Sequence, residues 1–163
     1  MANELWAQTV LDGVRTRLSS RLPVMIDKIA TGGGIEVADP AAVEVRSDID
    51  SVTALPHVAL VVESEILIER RLGLRLNLQI PLEVFVTAQP ASNFTTPDAH
   101  LTTYERALVL AMTEPDMTSS VTGLFWVELT GTGPLEDVNG KDRHRRRTSV
   151  RCNLHVRTTR LME

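Results

Sequence analysis

LRLNLQIPLEVFVTA, residues Leu74 to Ala88, is the stretch that decides how the rest of the chain is read. Leu74, Leu76, Leu78, Ile80, Leu82, Val84 and Val86 take every even position, while Arg75, Asn77, Gln79, Pro81, Glu83 and Thr87 fill most of the odd ones. A period of two over this length dictates an extended strand with one apolar face and one wet face. At about 3.3 Å per residue such a strand reaches roughly 40 Å, enough to project beyond its own domain. Pro81 removes one ladder donor from the polar side, which places the strand near a sheet edge or bends it there.

Upstream, Glu65 to Arg71 contains Ile66, Leu67 and Ile68 and leads through Arg70-Arg71-Leu72-Gly73 into the long strand. Two extended runs about a glycine-containing turn predict a hairpin arm over 65–88. Ile66, Ile68, Leu74, Leu76, Leu78 and Ile80 then form an apolar row that one 18.0 kDa domain is hard put to cover, so a neighbouring subunit is expected to cover it. Before the arm, Val58 to Val62 is apolar at every position and predicts a central strand buried on both faces.

Downstream, Ala91 to His100 is a polar loop expected to be mobile. Thr102 and Glu105 have the spacing of a capping box, which predicts a helix over 103–113 with Tyr104, Ala107, Leu108, Ala111 and Met112 on its apolar side. Leu124 to Thr130 predicts a strand with Phe125, Val127 and Leu129 on one face. Residues 131–148 predict an exposed glycine-rich loop and a basic strand end. The last strand should turn Val150, Cys152, Leu154 and Val156 inward and Arg151, Asn153, His155 and Arg157 outward.

At the other end, Leu5, Trp6, Val10, Val14, Leu18 and Leu22 recur at helical steps behind Asn3, a plausible N-cap, and Trp6 is expected to anchor the core. Pro23 could kink or end that helix, and Val24, Met25, Ile26 and Ile29 continue the apolar run. Thr31-Gly32-Gly33-Gly34 lacks the Lys-Ser/Thr pair of a phosphate loop and reads as a connector. Ala42 to Arg46 is a short strand, and Asp48-Ile49-Asp50 reads as a solvated loop.

The 163 residues fit one domain, 1–163, of the α/β (α+β) class: a mixed or antiparallel sheet with a long hairpin arm, covered by two helices. One cysteine, Cys152, excludes an internal disulfide and reads as a small buried hydrophobe. There is no apolar leader and no run of 18 apolar residues, so a cytoplasm-like compartment and no membrane contact are expected. His57, His100, His144 and His155 show no metal-ligand spacing, and no nucleophile elbow or dinucleotide fingerprint occurs. Catalysis, cofactors and metals are therefore not expected.

The net charge of −4 hides an asymmetry. Residues 1–140 carry 9 Lys/Arg against 19 Asp/Glu, a balance of −10, and residues 141–163 carry 8 against 2, a balance of +6. Arg143, Arg145, Arg146 and Arg147 flank His144, and Arg151 follows; this block either meets DNA or another polyanion, or keeps a strand end solvated or docked on another subunit.

A helix, a buried strand, a hairpin, a helix and a closing strand pair, carried by residues 4–22, 58–62, 65–88, 103–113, 124–130 and 149–157, resemble the tail terminator proteins of long-tailed bacteriophages and the neck and minor tail proteins of related fold. The resemblance implies a structural virion protein. It would form a ring, commonly a hexamer, that caps the tail tube, ends its polymerisation and offers a surface to the filled head. Tail tube protein, a head-completion or neck protein and genomic DNA in passage would be its partners, with assembly in the host cytoplasm. Removal of residues 66–80 would then leave a folded but unassembled subunit. The alternative is a small nucleic-acid-binding module built on the C-terminal arginines.

Overall fold

A computed structural model describes residues 2–33, 36–49, 54–70, 75–89, 97–137 and 145–159. The elements in order are α1 (Ala2–Gly33), β1 (Ala42–Val45), β2 (His57–Val62), β3 (Leu67–Arg70), β4 (Arg75–Ala88), α2 (Pro97–Met112), α3 (Met117–Ser120), β5 (Leu124–Thr132), β6 (Glu136–Asp137) and β7 (Arg146–Thr159). They form a single α+β domain. Its mixed sheet has the order β1-β2-β4-β7-β5, with β3 also on β4 and β6 also on β7; only the β1–β2 pair is parallel.

The period-two stretch does form one strand, but in the middle of the sheet and not at its edge. All fourteen residues of β4 pair with β7, from Arg75 opposite Thr159 to Ala88 opposite Arg146. On its other flank β2 pairs with Leu82–Thr87 and β3 with Leu76–Gln79. Pro81 lies in the gap between those two partners, and its carbonyl accepts from Glu63 N at 3.0 Å. Because N and O of one strand residue point the same way, its missing N–H faces the break between β2 and β3, where no ladder bond is required. A central strand thus tolerates the proline.

Even residues of β4 and β7 face the helices. Leu78, Ile80, Leu82, Val84, Val86, Val150, Cys152, Leu154 and Val156 are all buried there, as the alternation in β7 predicts. Burial pushes the Cys152 thiol up to about 12, which keeps it a neutral apolar filler. Residues His57–Leu60 of β2 are buried on both faces.

Helix α1 starts at Ala2, ahead of Asn3, and continues past Pro23 to Gly33. A helix-interior proline costs about 3 kcal/mol. Leu22, Met25 and Ile26 are buried around it, at about 1.5–3 kcal/mol each, so packing outweighs the lost hydrogen bond. Residues 31–33, read as connector, are its last turn. The side chain of Trp6 and the residue Asp50 lie outside the described residues. Helix α2 begins at Pro97, so Thr102 is interior; Glu105, expected to close a capping box, instead accepts from Thr148 Oγ of β7 at 2.9 Å. Much of the loop expected to be mobile is already helix or, at 91–96, outside the described residues. Glu114, just after α2, accepts from Arg21 Nε at 2.9 Å and lies 3.3 Å from Arg17 Nη2, tying α2 to α1. No described helix is long and apolar enough to cross a membrane.

Two glycines carry geometry. Gly123 has φ +83°, a left-handed turn into β5, and its carbonyl accepts from Arg157 N at 2.8 Å. At Gly133 an added Cβ would lie 2.0 Å from Ser149 Oγ, so the chain after β5 passes too close to β7 for a side chain.

Candidate functional site

The odd residues of β4 and β7 face away from the helices, and among the described residues no helix covers them. Along this open face β7 presents Arg147, Ser149, Arg151, Asn153, His155 and Arg157, with no carboxylate among them. Its neighbours supply the acids: Glu83 on β4, Glu128 on β5 and Glu136 on β6.

A bulge in β5 decides the character of one end of this face. The register shifts between Leu124, opposite Val156, and Trp126, opposite His155. Leu124, Val127 and Leu129 consequently face the helices, while Phe125 and Trp126 both turn to the open side. Phe125 therefore does not share a face with Val127 and Leu129 as a plain alternation requires. Trp126, 51% exposed, stacks on His155 with ring centroids 4.6 Å apart and planes at 20°. Phe125 packs obliquely on the same imidazole at 6.0 Å, and the Arg157 guanidinium sits 4.2 Å above the Phe125 ring.

Glu128 Oε2 lies 3.0 Å from His155 Nε2 and accepts from Asn153 Nδ2 at 3.4 Å. The hydrogen bond to His155, then that from Asn153, holds the Glu128 carboxyl below its usual range. At mid-face, Ser149 Oγ donates to Glu83, and Glu63 shares a hydrogen bond with Glu83. That shared bond, with some burial and the Glu83 charge, raises the Glu63 carboxyl. On the other flank His57 Nε2 lies 2.9 Å from Glu44 Oε2. The hydrogen bond to His57 and a second from Arg46 lower the Glu44 carboxyl.

Within the described part of the basic run, neighbouring arginines do not share a face. A strand sends successive side chains to opposite faces, so Arg147 lies on the open side and Arg146 on the helix side. Arg147 Nε donates to Glu136 Oε1 at 2.9 Å, and its guanidinium stacks 5.5 Å from the Phe85 ring centroid. Arg145 is half-buried just ahead of β7, Arg151 is exposed and donates to Thr132 O at 3.2 Å, and Arg143 lies outside the described residues. Residues 131–137 are part strand and part exposed connection: β5 continues to Thr132, residues 133–135 form no strand, Leu135 and Glu136 are exposed, and β6 pairs Glu136 and Asp137 with Arg147 and Arg146.

The arm residues also divide. Leu78 and Ile80, expected at a subunit interface, are core residues, 2% and 0% exposed, because the chain's own helices cover β4. Ile66 and Leu76 are half-buried, and Leu74 lies outside the described residues. Among the described arm residues apolar surface is left open at β3, where Leu67 is 59% and Ile68 48% exposed, and among the described residues no strand pairs with the outer side of β3.

A cleft of about 450 Å³ at the far end of the sheet is lined by Glu36, Val37, Pro56, Gln89, His100 and Tyr104. The Tyr104 hydroxyl donates to Ala38 O, and burial pushes its phenol up to about 12, so it is a fixed donor and not a base. Among the described residues no three His, Cys, Asp or Glu side chains are placed to hold a metal ion.

The aromatic cluster and Arg157 are what sequence reading misses. Its only trace is the adjacent pair Phe125-Trp126, since alternation would put one of two such large rings outside unless a bulge intervened. No protein-family model matches the chain, and no curated protein is significantly similar to it.

Proposed function

We propose that the chain is a structural, non-catalytic subunit that assembles with copies of itself into a ring, in the manner the tail terminator resemblance implies. In that reading the ring is a hexamer that caps a phage tail tube, ends its growth and receives the neck or head-completion protein. Genomic DNA passes through its lumen, and the ring is built in the host cytoplasm and kept in the virion.

The observation that carries this reading is the outer side of β3. An edge strand with open backbone groups and two exposed aliphatic side chains is a template for strand addition or packing by another chain. The opposite edge of the same sheet is β5, and Leu135 just beyond it is 37% exposed. Two different lateral edges can meet head to tail, and such contacts close into a ring when the rotation allows. The nucleic-acid module built on residues 143–147 has less support, because Arg147 is engaged by Glu136 and Phe85 and Arg146 lies on the other face of β7.

Deleting residues 66–80 is not a usable test, since it removes Leu78 and Ile80 from the core. Light scattering with negative-stain imaging of the wild type and of Leu67→Lys/Ile68→Lys is. The expected result is six-fold rings near six times 18.0 kDa for the wild type and folded monomers for the double variant. A wild type that stays monomeric at all concentrations, alone and with tail tubes, overturns the reading.

A further inference from the structure

We infer that the open face of the sheet, at the Trp126 end, is a binding platform for single-stranded nucleic acid. This goes beyond the ring reading and does not depend on it. Three observations converge. First, Trp126 is stacked on His155 on one side and is 51% exposed, so an indole already held in a defined plane presents surface to solvent. Second, Arg157 rests on the Phe125 ring and Arg151 is exposed on the same strand face, which gives two cations along one line. With Arg157 and Arg151 six residues apart, they stand about 20 Å apart along β7. Third, the side chains between them and opposite Arg157 and His155 are neutral hydrogen-bonding groups, Asn153 on β7 with Asn77 and Gln79 on β4, while Glu83 lies opposite Arg151 and Glu69 beyond Asn77.

An unpaired base offers two π-faces and a polar edge, and a strand of bases offers a regularly charged backbone. Aromatic planes on an open sheet, flanked by arginines that track phosphates and by amides that meet base edges, match each of those parts. A duplex hides its π-faces and cannot use Trp126. Glu128, beside Asn153, is held by His155 and Asn153, and Glu83, opposite Arg151, is held by Ser149, so each opposes the phosphates less than a free carboxylate would. A protein partner could cover an indole, but it gives no reason for arginines and amides spaced along the same strand.

The test uses the full chain and fluorescein-labelled dT and rU oligonucleotides of about 12 nucleotides, within the usual site sizes, read by anisotropy at about 50 mM salt. Both strands should bind, and a duplex of the same length should bind at least tenfold more weakly. Trp126→Ala should lose about fivefold or more in affinity and Trp126→Phe should recover most of it. Arg157→Ala should lower the slope of log affinity against log salt by about 0.7, the value for one phosphate contact on a single strand. Arg15→Glu, an exposed change on α1, should alter nothing, and thermal melts should show every variant folded. Absence of binding by the folded wild type overturns the proposal, as does binding that Trp126→Ala leaves unchanged or that favours duplex. A Trp126 emission change that follows protein concentration and ignores oligonucleotide assigns the face to a second copy and equally overturns it. Ring assembly is read separately by mass, so either proposal can fail while the other stands.

Discussion

Within the same two strands, β4 and β7, neighbouring residues belong to two different regimes. Even residues from Leu78 to Val86 and from Val150 to Val156 are aliphatic or cysteine, buried and answered by the chain's own helices; the odd residues between them are mostly amide, arginine, serine, histidine or glutamate, and several meet solvent. The first set fixes the fold and leaves nothing over for a partner. The second contributes little to stability and holds nearly all the chemistry that could be directed outward. The difference teaches that apolar patterning alone locates the core, and that contact surfaces have to be sought on the other face and at the unpaired edges.

The sharpest way to break that contrast is at an even position. Leu154→Ala, in the centre of β7, should cost about 2–5 kcal/mol, read as a lowered denaturant midpoint. Gly133→Ala comes next: its methyl would meet Ser149 Oγ and disturb the Ser149–Glu83 bond, at about 1–3 kcal/mol, although it sits on the open face. Glu114→Gln, which loosens the α1–α2 clamp, should cost about 1 kcal/mol at neutral pH, since the pair is partly exposed.

The sign with pH follows from the lowered Glu114 carboxyl, whose first cause is its hydrogen bond with Arg21. A carboxyl depressed in the folded state stabilises above its unfolded value of 4.5, and that contribution is lost as pH falls through the folded value. The gap between wild type and Glu114→Gln should therefore be full at pH 7 and close on acidification below about 4.5. Glu63 has the opposite sign. Its carboxyl is raised, chiefly by the hydrogen bond shared with Glu83, so its contribution is present at low pH and lost as pH rises through the folded value. Glu63→Gln should leave stability equal or slightly higher at pH 7, by less than about 1 kcal/mol at so exposed a site, and the gain should vanish in acid. The smallest effect belongs to Trp126→Ala, expected within about 0.5 kcal/mol of wild type in a thermal melt.

Legibility in the sequence follows the same division. The helix-facing rows of β4 and β7 are readable because period two is a local property, visible within each stretch. What β4 pairs with is not local. Its fourteen-residue match with β7 joins segments about seventy residues apart, and without it Pro81 argues for an edge. The bulge at Phe125 is not legible for a related reason, and of the two outcomes open at Pro23, an end of α1 is the one excluded: in each, tertiary packing overrides a local rule. Alternation also explains why a basic run reads as one patch in the sequence while Arg146 and Arg147, its residues within β7, lie on opposite faces. The candidate platform was the least legible part, since it combines Trp126 from β5 with His155 and Arg157 from β7.

The most direct measurement of the central claim, that the exposed edge and not the apolar row of β4 is where copies meet, is amide hydrogen exchange of β3 as protein concentration is raised. Alternate amides of Leu67–Arg70 point away from β4, and no described strand pairs with that side of β3. The account predicts that these exchange freely when dilute and become protected as assembly proceeds, while β4 amides stay protected throughout. Exchange at β3 that is equally fast in the dilute and the assembled protein would contradict it.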